Sequence, residues 1–352
     1  MNILYIGNRC SQIKSGADIV NNRNIYFLQQ IAKGNIDFIP LKSELRIVDK
    51  LSFYLGGLTL GIEKRILMQM EGKEYDYVFL SQSLLGRLAR KIKNCHPSIR
   101  IICCYHNIER HYAREFIRVS GLIHFPFYLA ATYNESLSVR YCDYSLVLNQ
   151  RDSNLFYQEY GKTASLVLPV ACNDIFDKRR CINIPAEESK IIYLFVGVDF
   201  FANVQGIRFF IKEILPYIPG QLIIAGKGMD RYTDEFTSER VEVKGYVEDL
   251  AKLYYESTFV VLPILSGGGM KTKTAEALMY GKTIIGTEEA FEGYRLETGS
   301  TFVCKTSNDF ICVINRLIEK KQTNLFNQKS RQLFIENYSY EAVYKKFSSL
   351  FK

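Results

Sequence analysis

Short apolar runs alternate along this chain with longer segments whose apolar residues recur at helical spacing, the signature of parallel α/β units. Runs at 2–7, 77–81, 101–105, 144–148 and 165–168 predict the strands of one sheet. Their Ile, Val, Leu and Tyr content suits strands covered on both faces. Runs at 191–196, 221–225, 241–243, 258–262, 283–286 and 301–304 predict a second sheet. Between the two, residues 169–190 combine Pro169, Asn173, Asp174 and Pro185 with a cluster of charges, the composition of a linker. The tail, 338–352, carries Phe347, Leu350 and Phe351 at helical spacing. At 352 residues the chain exceeds the usual size of a single core, so two domains are expected.

The most informative segment runs from Thr258 to Lys282. An apolar stretch, 258–265, reads as a buried strand and leads into Gly267-Gly268-Gly269, after which a helix-forming stretch begins. Such a turn points free backbone N–H groups and the positive end of a helix dipole at one place, where an anion can sit. Lys271 and Lys273 add two positive charges beside it, and Glu276 can accept hydrogen bonds from neutral hydroxyls. A diphosphate flanked by a ribose satisfies all of these groups. The same residues also fit an ordinary helix start with solvated lysines.

The segment Gly267 to Gly281, followed by Thr283-Ile284-Ile285-Gly286-Thr287 and Glu292-Gly293, resembles the nucleotide-sugar site of family 4 glycosyltransferases of the GT-B fold. Phe195-Val196-Gly197, Asn203 and residues 209–216 resemble the opening strand and helix of that family's donor domain. Residues 222–228 resemble its second strand, and 243–250 the turn near the nucleotide base. The resemblance is specific over 191–294 and weaker over the N-terminal half. It implies an α/β architecture of two Rossmann-like domains facing a central cleft. Residues 1–170, with roughly 336–352 crossing back as a last helix, would bind the acceptor, and 171–335 the donor. It further implies donor binding by Gly16, Gly245, Tyr246, Val247, Gly267, Gly268, Gly269, Met270, Thr272 and Glu276, with Lys271 and Lys273 facing the diphosphate during catalysis. The chain departs from the family in two places. Many relatives carry a second Glu eight positions before the Glu of the Glu-Ala pair, where this chain has Gly268. Many place an Arg and a Lys after the Phe-Val-Gly strand, whereas 198–206 contain neither, so that Lys271 and Lys273 stand in for the lost charge.

Two loops of the N-terminal half carry candidate chemistry. The loop after the first strand places Ser15, Gly16 and Asp18 where the family keeps a turn near the donor phosphate and the acceptor. Ser15 or Asp18 equally suits a helix N-cap. The cluster Tyr105-His106-Asn107-Ile108-Glu109 directly follows an apolar strand, and ligands of open α/β sheets gather at the carboxyl ends of strands. His106 resembles the family's active-site histidine, with a loop-orienting histidine as the alternative, and Asn107 and Glu109 fall on the acceptor side. His111 follows nearby, while His96 and His124 read as structural or acceptor-side.

Charge is uneven. Residues 1–169 hold 21 Lys/Arg and 14 Asp/Glu, a net of +7, and residues 170–352 hold 24 and 23, a net of +1. A basic half suits an anionic partner. No nucleic-acid-binding motif is present, which leaves an anionic membrane surface or a lipid diphosphate embedded in it. Residues 51–70, 86–93 and 116–133 mix apolar and basic positions, and Lys64, Arg65, Arg87, Arg90, Lys91 and Lys93 are the expected membrane contacts. The same segments also fit core helices with solvated basic faces. No run of about 18 apolar residues predicts a membrane-spanning helix, and the N-terminus reads as a strand rather than a signal peptide. Nine cysteines without a Cys-x-x-Cys pair favour reduced thiols in the cytoplasm, and the lack of an Asp-x-Asp motif predicts no metal cofactor.

The expectation is a cytoplasmic enzyme, peripheral on the inner face of the cell membrane. It would move a hexose-type sugar, with retention of configuration, from a nucleotide-diphosphate sugar to a hydroxyl of a lipid-linked oligosaccharide in cell-surface polysaccharide synthesis. A non-catalytic GT-B subunit that activates a partner transferase and a sugar-nucleotide epimerase are the alternatives.

Overall fold

The computed structural model describes residues 1–8, 16–42, 49, 52–182, 190–267 and 269–351, and of residues 119–120 and 181–182 the backbone. The chain forms two compact units, Met1–Pro169 with Tyr344–Lys352, and Val170–Val343.

The first unit is built on six parallel strands, β1 (Ile3–Ile6), β2 (Ile36–Ile39), β3 (Tyr77–Leu80), β4 (Arg100–Tyr105), β5 (Tyr144–Val147) and β6 (Leu166–Val167), in the order β2-β1-β3-β4-β5-β6. Every residue of β1 and β3 is buried, because helices cover both faces of the sheet. Strand β2 is missing from the sequence reading. Asp37 interrupts its apolar run, and as an edge strand it buries only Ile39 fully. Asp37 is held by Lys73 at 2.8 Å and by the Tyr75 hydroxyl, contacts that keep its carboxyl below the usual range.

The helices of this unit are α1 (Gly16–Ile31), α2 (Leu60–Gly72), α3 (Gly86–Cys95), α4 (Glu109–Ser120), α5 (Phe125–Tyr141) and α6 (Gln150–Tyr160). Phe347, from the C-terminal segment, packs on Phe27 of α1 and Phe79 of β3 at ring distances of 5.6 and 6.3 Å. The basic helix α3 does not present its cations as a free membrane-facing row. Arg87 donates to the Ser52 carbonyl and lies 4.4 Å from the Tyr54 ring, Lys91 pairs with the buried Glu63, and Lys93 bonds to Asp143 and the Ile99 carbonyl. The acidic partners lie 28 residues from Lys91 and 50 from Lys93, beyond the reach of local pattern.

The second unit repeats the plan with β7 (Ile192–Val196), β8 (Gln221–Ala225), β9 (Val241–Gly245), β10 (Phe259–Leu262), β11 (Thr283–Gly286) and β12 (Thr301–Val303), all parallel, in the order β12-β11-β10-β7-β8-β9. Strand β10 stops at Leu262 rather than Leu265, since Pro263 has no N–H for the ladder. Around the sheet lie α7 (Phe201–Glu213), α8 (Leu250–Glu256), α9 (Thr272–Met279), α10 (Ser307–Glu319) and α11 (Gln328–Asn337), and α12 (Tyr340–Ser348) ends the chain's helices. Among the described residues no helix is long and apolar enough to cross a membrane.

The strand order reverses direction between β7 and β10 in the second unit, and between β1 and β3 in the first. In open α/β sheets such switch points leave a crevice at the carboxyl ends of the strands, where ligands bind.

Candidate functional site

At the switch point of the second unit, β7 leads through Gly197 into the loop before α7, and β10 leads through the glycine turn into α9. Helix α7 approaches the exit of β10 closely. A Cβ on Gly206 would lie 2.0 Å from the Pro263 carbonyl oxygen, so only glycine fits there. This packing sets Asn203, in the first turn of α7, beside α9. The Asn203 amide donates to the Val198 carbonyl at 2.8 Å, and its oxygen accepts from Lys273 Nζ at 2.5 Å. Lys273 also lies 4.5 Å from the Phe195 ring centroid and against the Gly197 backbone. Burial, with the nearby Lys271 charge, lowers the Lys273 ammonium to about 7, partly offset by Glu276. A lysine poised there is cationic once an anion arrives beside it.

Lys271 is placed differently. Its ammonium bonds to the Gly269 carbonyl at 2.8 Å and to the Glu289 carboxylate at 2.7 Å. Its positive charge is therefore already matched, and it braces the turn rather than adding a second bare cation. The turn needs glycine at 267 and 269, which have φ of +144° and +66°, while Gly268 lies outside the described residues. Met270 is buried, and its sulfur accepts from the Val170 N–H at 3.4 Å. Thr272 opens α9 and is half-buried. Glu276 accepts from the Tyr254 hydroxyl at 3.2 Å, and burial raises its carboxyl. At the end of β9, Gly245 takes φ +60°, and its carbonyl accepts from Gly226 N at 2.6 Å. Tyr246 projects 73 % exposed beside the half-buried Val247.

In the first unit, His106 follows β4. Its Nε2 lies 3.2 Å from Asn21 Oδ1, and its ring is hydrogen-bonded to the Ser81 backbone. Burial, aided by the buried Arg23, lowers its imidazole to about 4, against the opposing effects of the Ser81 hydrogen bond and of Asp18. His106 is therefore neutral near pH 7. Asp18 lies in the first turn of α1, which begins at Gly16, while Ser15 lies outside the described residues. Asn107 hydrogen-bonds to Glu109, whose carboxyl is raised to about 8 by burial and by Glu135. Glu135 anchors this corner. Its two oxygens accept from Glu109 N and Arg110 N, each at 2.9 Å, from Ser83 Oγ at 2.9 Å and from the Tyr160 hydroxyl at 2.6 Å. A buried carboxylate thus caps the N-terminus of α4 and holds the His106 loop.

Sequence reasoning missed Asn21, Arg23, Glu135 and Glu289 and assigned Asn203 no contact. Asn21 lies three residues after Asp18, on the same helix face, which is the one signal that points to it. Among the described residues no three His, Cys, Asp or Glu side chains gather in the way a metal requires.

Residues 190–320 match the family of glycosyl transferases group 1. The chain carries a group 1 glycosyltransferase domain. The transferase also shares its fold with solved GT-B proteins over its full length. HepE of Anabaena, solved in complex with UDP, is 13 % identical, covers 100 % of this chain with 99 % of its own, and superposes with a TM-score of 0.71. Sucrose-phosphate synthase of Thermosynechococcus elongatus is 13 % identical with a TM-score of 0.75, the coverage being 100 % and 98 %. The lipopolysaccharide outer core galactosyltransferase WaaB is 15 % identical with a TM-score of 0.68, the coverage being 100 % and 99 %. No curated protein matches the transferase in sequence.

Proposed function

We propose that the transferase moves a sugar from a uridine-diphosphate sugar to a hydroxyl of a lipid-linked oligosaccharide, with retention at the anomeric carbon, during cell-surface polysaccharide synthesis. The observation that carries the donor half of this reading is Lys273, half-buried at the switch point and fixed by Asn203 at the N-terminus of α9. The anomeric carbon exchanges its diphosphate oxygen for the acceptor oxygen, and the proton of the acceptor hydroxyl passes to the departing diphosphate. The hard step is departure of the charged diphosphate. Lys273 and the N–H groups of the turn stabilise that charge as it develops, with no metal called for. Glu276 takes the ribose hydroxyls beside Tyr254. His106, neutral at pH 7, orients sugar hydroxyls by hydrogen bonding. HepE was solved with UDP-glucose, which favours uridine as the base.

A panel of nucleotide sugars tests this by thermal shift, because a ligand bound only by the native state raises Tm. UDP and one UDP-sugar are expected to raise Tm, and 2′-deoxy-UDP to raise it less. Hydrolysis of that UDP-sugar by the isolated chain separates an enzyme from a non-catalytic subunit. Equal shifts with UDP and 2′-deoxy-UDP would remove Glu276 from the ribose site, and no shift with any nucleotide would overturn the donor reading.

A further inference from the structure

Helix α5 is turned inside out. Phe125, Leu129 and Tyr133, spaced at i, i+4 and i+8, are 46 %, 45 % and 37 % exposed, while Asn134, Glu135 and Ser138 are buried on the opposite face with Ala130 and Ala131. A helix facing only water orders its sides the other way. At the N-terminal end of this stripe, Gly121 takes φ +90° and turns the chain from α4 into the tip Leu122-Ile123. These two side chains are 79 % and 82 % exposed. At the other end Phe53 continues the stripe, its ring 5.6 Å from that of Tyr133. Phe53 is held at φ +61°, strained for a bulky residue, while its carbonyl accepts from Asn134.

We infer that the α4–α5 tip and the outward stripe of α5 form a docking surface for an anionic bilayer. Three observations favour a bilayer over a protein partner. No Asp or Glu occurs from Phe116 to Asn134, so the tip and the stripe carry no acidic side chain, and residues 1–169 carry a net +7; Arg118 lies beside the tip, exposed and paired with Glu115 at 2.6 Å on its own helix. The most exposed apolar side chains form a protruding turn rather than a flat patch. The stripe mixes Phe and Leu with Tyr, the residue type that settles at membrane interfaces. The inference rests on the proposed lipid-linked acceptor and adds its route. Helix α4 runs from the His106-Asn107 loop to the tip, so the loop stands about 18 Å from the inserted turn, within reach of a lipid headgroup carrying sugars.

The test uses the full chain in co-sedimentation with vesicles of phosphatidylcholine, with and without phosphatidylglycerol. The wild type is expected to sediment with the anionic vesicles, less so at high salt. The pair L122D and I123D, at exposed positions that leave the fold unchanged, is expected to lose about tenfold in partitioning. UDP titration and gel filtration of the same samples keep the outcomes apart. No sedimentation of the wild type, or equal sedimentation of the variant, overturns the docking surface while intact UDP binding leaves the transferase reading standing. A wild-type dimer that the variant abolishes would assign the stripe to a second copy and overturn it as well.

Discussion

Replacing Lys273 with alanine is expected to lower kcat/KM by about 10²- to 10³-fold, the range seen when one preorganised donor to a developing anion is removed. The loss should appear in kcat as well as in donor affinity, because the diphosphate gains charge as it departs. Lys271→Ala should cost less, since Glu289 already matches that ammonium in the unliganded protein. Lys273→Met separates function from folding. It fills the same space without burying a charge, so the Tm of the unliganded protein should hold while transfer fails. Wild-type kinetics in Lys273→Ala would remove the residue from the site.

The second large effect lies in the first unit. Glu135→Ala should destabilise the protein on the order of 3 kcal/mol, because it leaves four donors without their buried acceptor: Ser83 Oγ, Glu109 N, Arg110 N and the Tyr160 hydroxyl. Glu109 gives the matching pH dependence. Its folded carboxyl titrates near 8 against an ordinary value of 4.5. Between these values the folded state holds a proton that the unfolded chain releases, so this group makes stability fall as pH rises through that window. His106 acts oppositely between about 4 and 6.5, where the unfolded chain binds the proton. The difference in Tm between Glu109→Gln and wild type isolates the first group and should widen in favour of the variant as pH rises from 5 to 8. A constant difference would contradict a Glu109 carboxyl raised by burial and by Glu135.

The parallel α/β class and the positions of eleven strands were legible because fully buried strands read as continuous apolar runs. Strand β2 was not, since an edge strand tolerates Asp37 in its middle. The glycine turn and the lysines after it were also legible, as local chemistry confined to a short segment. What the lysines do was not. Glu289 lies 18 residues from Lys271, and Asn203 lies 70 from Lys273, so their pairing exists only after the sheet has formed. The basic character of α3 suggested a membrane face, but Glu63 and Asp143 hold two of its cations within the fold. A row of exposed apolar side chains lies instead on α5, where the burial of Asn134 and Glu135 reverses what composition alone suggests.

The central claim, that Lys273 meets a diphosphate at the switch point of the second unit, is tested most directly by calorimetric titration of UDP at pH 8 in buffers of different ionisation enthalpy. Near that pH the free Lys273, titrating at about 7, is mostly neutral, whereas a bound diphosphate favours its ammonium form. Binding is therefore expected to take up a proton, and affinity to fall as pH rises above 7, with both effects lost in Lys273→Ala. UDP binding of equal strength from pH 7 to pH 9, with no proton uptake, would contradict the account.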